Sequence, residues 1–320
     1  MKKTRLRAGS PAELLALGPY LLGFEPTESI VVVAVSEGES AGVARADLEA
    51  FESDPQLARR TWQTLSRPTP DAHALILGYG ADHERMVAAL RSVACSIEEW
   101  TGSLLVDHVC FTDGHLWWPL WEDWEFDPDA GQPYDPAPPA VVQAVCEGLS
   151  VTGDRAQLER SVDGPGGKQA ASFAAKVRRQ LRLVASMTDA DATTCVLDLL
   201  MRGLEAPAGM DDLDQARLVA LVQKIHPRDD VWLSQTRASA EQHQVLWHHL
   251  AQRTPVEFAV PVLSLLGFAA WLSGHGALAN IACLRALSLD PCYRMARLLD
   301  EALVNGAHPD LWNDMPDVSA

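Results

Sequence analysis

Between positions 29 and 35 the chain reads Ser29-Ile30-Val31-Val32-Val33-Ala34-Val35, apolar at odd and even positions alike. A strand with one wet face would alternate, so this one is expected to be covered on both faces. Gly38 centres a short polar stretch before a second run at 42–48, which predicts an antiparallel hairpin. Symmetry about Gly38 makes the numbers of paired residues sum to 76, setting Ser29 opposite Asp47 and Val31 opposite Arg45. Asp54-Pro55 opens a helix running to about residue 65, with proline in its first turn. Ala74-Leu75-Ile76-Leu77-Gly78-Tyr79 reads as a third strand, 84–100 as a long helix with Asp82 as its N-cap, and 104–111 as a fourth strand. A short hairpin through Thr112-Asp113-Gly114-His115, a Pro-rich acidic stretch at 121–139 and a helix at 140–149 complete the first half. Strands alternating with helices predict an α/β domain over residues 1–150, a small mixed sheet with flanking helices.

After residue 150 the periodicity turns helical throughout, with segments at 155–161, 168–188, 191–202, 213–225, 240–253, 256–273, 277–289 and 293–305. Gly203, Pro207, Pro227, Pro255, Gly274, Pro291 and Gly306 punctuate them. An all-α domain over 151–320 follows. Near 262–291 the pattern is partly tetratricopeptide-like. Leu263, Leu266, Gly267 and Ala270 on one helix, and Ala279, Cys283 and Ala286 on the next, stand at the spacing of that repeat, which Pro291 would close. One good match falls short of a solenoid, which needs several units to bury its faces.

Charge narrows the choice of partner. Lys and Arg number 26 against 43 Asp and Glu, a net charge of −17, and such a field repels polyanions. Neither nucleic acid nor a membrane surface is expected as a partner. The longest apolar run, 258–272, contains Pro261 and is shorter than the roughly 20 residues that span a bilayer. The basic start at Lys2-Lys3 leads into a stretch interrupted by Glu13 and Pro19, so no export signal is expected. The six cysteines show no CxxC pair, which suits reduced thiols in a cytoplasmic protein.

Three stretches carry a family resemblance. They are Leu21-Leu22-Gly23-Phe24-Glu25-Pro26-Thr27-Glu28-Ser29-Ile30-Val31, then Arg45-Ala46-Asp47-Leu48, and Gly274-His275-Gly276-Ala277-Leu278-Ala279 continuing to Asp290-Pro291. Together they resemble an uncharacterised actinobacterial family, the domain-of-unknown-function family numbered 4192. The resemblance implies a bacterial, cytoplasmic protein and carries no activity, cofactor or catalytic residue with it.

Two places in the first half gather candidate chemistry. Ser29, Arg45 and Asp47 converge at the open end of the hairpin and, with Glu28, suit recognition of an anion or docking of a partner. The cluster lies at the start of strand one, however, whereas ligands of open α/β sheets bind beyond the strands' carboxyl ends. The second place is such an end: Gly78, Tyr79, Gly80 and Asp82 lead from strand three into a helix, and Asp113 and His115 follow strand four as a potential acid/base pair.

Other motifs fall short. Gly164-Pro165-Gly166-Gly167-Lys168-Gln169 lacks both the first glycine and the Ser/Thr of a phosphate loop and reads as a linker. His243, His248 and His249 contain no i,i+4 pair, so they suit a surface or interface role better than a metal site. Trp117, Trp118, Trp121 and Trp124 precede a run of acids including Asp127 and Asp129, which suits an aromatic mini-core under a loop better than a sugar or cation platform. No cofactor and no metal is expected. The leading expectation is a non-catalytic protein-interaction or regulatory module with a protein partner. The alternative is a small-molecule-binding enzyme using the sheet rim, and self-association through the Trp-rich loop or the helical body is a third.

Overall fold

The computed structural model describes residues 8–102, 105–120, 130–146 and 149–312. The chain divides into two compact units, Met1–Arg155 and Ala156–Ala320.

The first unit holds α1 (Pro11–Leu22), β1 (Ser29–Ser36), β2 (Glu39–Asp47), α2 (Leu48–Ser53), α3 (Leu57–Ser66), β3 (His73–Tyr79), α4 (His83–Thr101), β4 (Val106–Thr112), β5 (Leu116–Pro119), β6 (Gln132–Pro133) and α5 (Pro139–Cys146). The strands form one mixed sheet in the order β2-β1-β3-β4-β5-β6. Among the described strands of the sheet only β3 and β4, joined through α4, run parallel. The β1–β2 hairpin has the register read from the sequence from Ser29↔Asp47 to Ala34↔Gly42; a bulge then shifts it by one residue. The shift accommodates a tight turn in which Glu37 (φ 53°) and Gly38 (φ 76°) both have positive φ, as a type I′ connection requires.

The apolar run of β1 is covered twice. Ile30, Val32 and Ala34 join Ile76, Phe111, Trp62, Leu90 and Ile97 on the face packed by α2, α3 and α4. Val31 and Val33 join Leu75, Leu77, Cys110 and Leu15 on the face packed by α1. Burying each such side chain contributes roughly 1.5–3 kcal/mol before entropy is charged against it.

Helix α1 shows how the sequence meets the sheet. Ser10 caps it by accepting the Glu13 N–H, and Gly23 closes it in the left-handed conformation. Pro19 in its interior has no N–H, so the carbonyl of Leu15, four residues earlier, loses its helical donor. The phenol of Tyr79 donates to that carbonyl at 2.7 Å. It comes so close that a Cβ on Gly18 would lie 1.9 Å from the Tyr79 oxygen.

Beyond a helix at Arg155–Arg160 (α6), the second unit contains α7 (Gly167–Val184), α8 (Asp189–Glu205), α9 (Asp212–Leu221), α10 (Ile225–Leu233), α11 (Ala240–Ala251), α12 (Ala259–Leu272), α13 (Gly276–Leu289) and α14 (Arg294–Val304). No strand occurs among its described residues. The segment expected as one helix at 213–225 is α9 alone, and α10 follows, missed because Pro227 reads as a breaker. Pro227 lies in the first turn of α10, where the missing N–H costs nothing. Helix α12 is buried at every position except Val260, as expected of a helix apolar all round. Its Gly267 lets α13 approach: a Cβ there would stand 3.2 Å from the Ala279 carbonyl and 2.9 Å from Leu299. Among the described residues no helix is long and apolar enough to cross a membrane.

Candidate functional site

The sheet brings the two sequence candidates to one edge. Ser29 pairs with Asp47 on one side and with Tyr79 on the other. Because β1 runs antiparallel to β3, the start of β1 lies where β3 and β4 end, and the objection that the hairpin cluster is at the wrong end of the sheet falls away.

Most polar groups along this edge hold the fold together. Arg45 Nη2 is 2.6 Å from Asp47 Oδ1 and 3.2 Å from the Thr27 carbonyl, and its guanidinium lies 5.8 Å from the centre of the Phe24 ring. Glu28 adopts φ 41°. Its carboxylate accepts the Ala81 N–H at 3.0 Å, while its carbonyl accepts the N–H of Leu48 at the start of α2. Arg85 grips Glu52 with two hydrogen bonds of 2.7 and 2.6 Å and reaches within 3.8 Å of Glu28. The Arg85 hydrogen bond holds the Glu52 carboxyl below its ordinary pKa.

The glycines of the rim serve packing. A Cβ on Gly78 would lie within 2.9 Å of Met86, Phe111 and Leu90, and one on Gly80 would lie 3.0 Å from Glu28 Oε1. Asp82 caps α4 by accepting the Arg85 N–H. The Asp113 carboxylate, expected to pair with His115 in acid/base chemistry, is engaged by backbone N–H groups. Asp113 Oδ1 accepts the N–H groups of His115 and Leu116, both at 2.7 Å, which closes the β4–β5 turn. Burial raises the Asp113 pKa, but these donors, with the charge of His115 nearby, outweigh it and the carboxyl stays below its ordinary value.

Near this edge Ser29 Oγ, His83 Nε2 and Trp118 Nε1 are buried and find no hydrogen-bond partner among the described residues. The His83 ring meets Phe111 and Trp118 edge-on, with centroids 5.2 and 5.1 Å away, and those two rings stack at 4.8 Å. His83 follows the Asp82 cap directly in sequence, but nothing in the sequence pairs it with Trp118, which arrives on β5. Trp121, Trp124, Asp127 and Asp129 lie outside the described residues.

The helical unit contains a groove of about 630 Å³ between α7 and the start of α12, closed by the end of α13. Ala170, Ala174, Val256, Ala259, Leu263 and Leu289 give it an apolar lining. At its rim Arg178 pairs with Glu257 and Arg285 with Asp163, each at 2.9 Å. The Gly164-Pro165-Gly166 stretch forms one wall. Gly164 packs so closely that a Cβ would lie 2.0 Å from the Thr254 carbonyl.

His243 departs from the surface or interface role expected of the three histidines, while His248 and His249 are half-buried. His243 is 1% exposed, accepts the Trp247 indole N–H at 3.4 Å, and burial pushes its pKa down to about 4. His248 Nε2 bonds Ser161 Oγ at 2.9 Å. Among the described residues no group of three or more His, Cys, Asp or Glu stands ready to hold a metal.

Fold and edge together define a protein of two units, one built on a six-stranded mixed sheet and the other wholly helical among its described residues. The chain belongs to the family described as a domain of unknown function, DUF4192, which it matches over residues 11–310. No curated protein and no solved structure matches it.

Proposed function

We propose that the protein is a non-catalytic, cytoplasmic interaction module whose helical unit, partly tetratricopeptide-like around α12 and α13, docks a protein partner. The observation that supports this reading is the groove of about 630 Å³ with an apolar lining and charged ends. That volume and composition suit the burial of side chains from a partner segment. The rim of the α/β unit, where the enzyme reading would put its chemistry, spends Glu28, Asp82, Asp113 and Tyr79 on backbone partners. The hairpin cluster of Ser29, Arg45 and Asp47 belongs to the same docking function.

The test is affinity capture with wild type beside Ala171→Arg, which projects a long charged side chain into the groove from an exposed position of α7. A protein recovered with wild type and lost with this variant, at an unchanged unfolding midpoint, is the expected result. Identical recoveries from both overturn the role of the groove. A midpoint rise on adding a nucleotide, sugar phosphate or amino acid, abolished by substitutions at the rim, would favour the enzyme instead.

A further inference from the structure

We propose that the outer edge of β2 is a docking strand for an extended, basic segment of a partner protein, which adds to the sheet as its next strand. The proposal rests on the interaction reading and supplies it with a site and a partner chemistry in the α/β unit.

The hydrogen-bond parity of the sheet fixes which way β2 faces. On β3 the N–H groups of Ala74 and, just beyond the strand, Gly80 go to carbonyls at 105 and 112, so the even positions of β3 point to β4 and the odd ones to β1. The odd positions of β1, paired with odd positions of β3, therefore bond inward. Its even positions bond β2 through Ile30↔Ala46, Val32↔Ala44 and Ala34↔Gly42. The Leu48 N–H to Glu28 carbonyl bond at 2.8 Å continues the same parity. The remaining positions of β2, Val43 and Asp47 among them, direct N–H and C=O away from β1, and among the described residues β2 pairs with β1 alone.

Sheets protect such an edge by keeping it short, placing Lys or Pro on it, or bulging it. Here β2 is nine residues long with no Pro; the charges within 42–47, Arg45 and Asp47, are tied to each other, and the bulge lies toward the turn, leaving 42–47 in unbroken register. The opposite edge, β6, has two residues. Gly42, Val43, Ala44 and Ala46 are small and half-buried, and the one long side chain among them, Arg45, is held on Asp47 and the Thr27 carbonyl, which suits the roughly 4.8 Å approach of a paired strand.

Charge selects the occupant. Residues 1–150 carry 23 acidic against 10 basic side chains; at β2 itself exposed Glu37 stands near the turn end, while at the other end Asp47 is ion-paired with Arg45. A field of this sign attracts a Lys- or Arg-rich segment. A second copy of the chain would set a net −17 against −17.

The experiment uses the full chain and fluorescent ten-residue peptides in which Lys alternates with Val or Thr, with Glu replacing Lys in the control peptide. Val43→Pro removes one outward N–H without touching the β1–β2 ladder or the charge, and Val43→Thr keeps that N–H. Anisotropy titrations should show the Lys peptide binding wild type and Val43→Thr within twofold of each other, and Val43→Pro at least tenfold more weakly. Should Val43→Pro fail to fold, slowed exchange of the Val43 and Asp47 amides of wild type on adding the Lys peptide is the expected outcome, and unchanged exchange overturns the proposal. Equal binding by Val43→Pro would mean attraction to the acidic surface alone and would overturn it, as would absence of binding to wild type. Either result leaves the groove, read by Ala171→Arg, untouched.

Discussion

Replacing Tyr79 by Phe removes one oxygen and leaves one carbonyl stranded. In the native chain the Leu15 carbonyl has no helical donor, because Pro19 stands four residues on, and the Tyr79 phenol fills that vacancy at 2.7 Å. Leu15 is 0% and Tyr79 6% exposed, so water does not replace the lost donor. Burial also keeps the phenol pKa well above its ordinary value, so the group is a neutral donor around neutral pH. An unsatisfied buried acceptor costs about 1–3 kcal/mol. Taking about 2 kcal/mol and a unit of this size, the midpoint of the α/β transition should fall by about 4–8 °C. Restoring the helical donor should cancel most of that loss. In Pro19→Ala the N–H of residue 19 reaches the same carbonyl, so Tyr79→Phe should there cost less than about 0.5 kcal/mol, a coupling above about 1 kcal/mol. Calorimetry of the four proteins of this cycle measures it. Equal costs of Tyr79→Phe with and without Pro19 would refute the account.

Three other outcomes follow from described contacts. Gly267→Ala should destabilise the helical unit by about 1–3 kcal/mol in urea unfolding, since its Cβ would press on the backbone of α13 and on Leu299, and stability within about 0.3 kcal/mol of wild type would contradict that packing. His243 has a folded pKa of about 4, below its unfolded value, so the stability it lends is complete above about pH 6.5 and drains away as pH falls toward 4; about 2–3 kcal/mol should disappear between pH 7 and 4.5, and His243→Leu should remove that share of the slope. Thiol labelling of the native protein should modify the exposed Cys95, Cys146 and Cys292 first. Cys110 and Cys283, whose pKa values burial raises, the latter to about 12, should react only after unfolding, as intact-mass spectra will show.

Local order was readable where one short stretch carried all of the information. The β1–β2 register follows from the hairpin's near-symmetry about Gly38, and the double apolar parity of β1 marks a strand covered on two faces. The cap of α4 at Asp82 was equally plain, since a side-chain oxygen before a helical run acts within three residues. What escaped depends on residues far apart. Ser29 meets Tyr79 only because β1 runs antiparallel to β3, a pairing across fifty residues that no local pattern encodes. Glycines 78 and 80 resemble a ligand loop in sequence, yet their neighbours Met86, Phe111 and Glu28 give them a packing reason. Short α2 and the Pro227 start of α10 were lost because six residues carry too little periodicity and a proline reads the same in a first turn as in a break.

The position of β1 between β2 and β3 has a consequence for synthesis. The type I′ hairpin joins neighbours in sequence and can close within microseconds once both strands have left the ribosome. The third strand begins 37 residues after β1 ends, about 2–7 s later at ordinary elongation rates. Throughout that interval the Ile30-to-Val35 segment, apolar on both faces, has one side open to any other nascent strand. The stretch that ends up inside the finished sheet is therefore, while the chain grows, a free edge for a chaperone to guard.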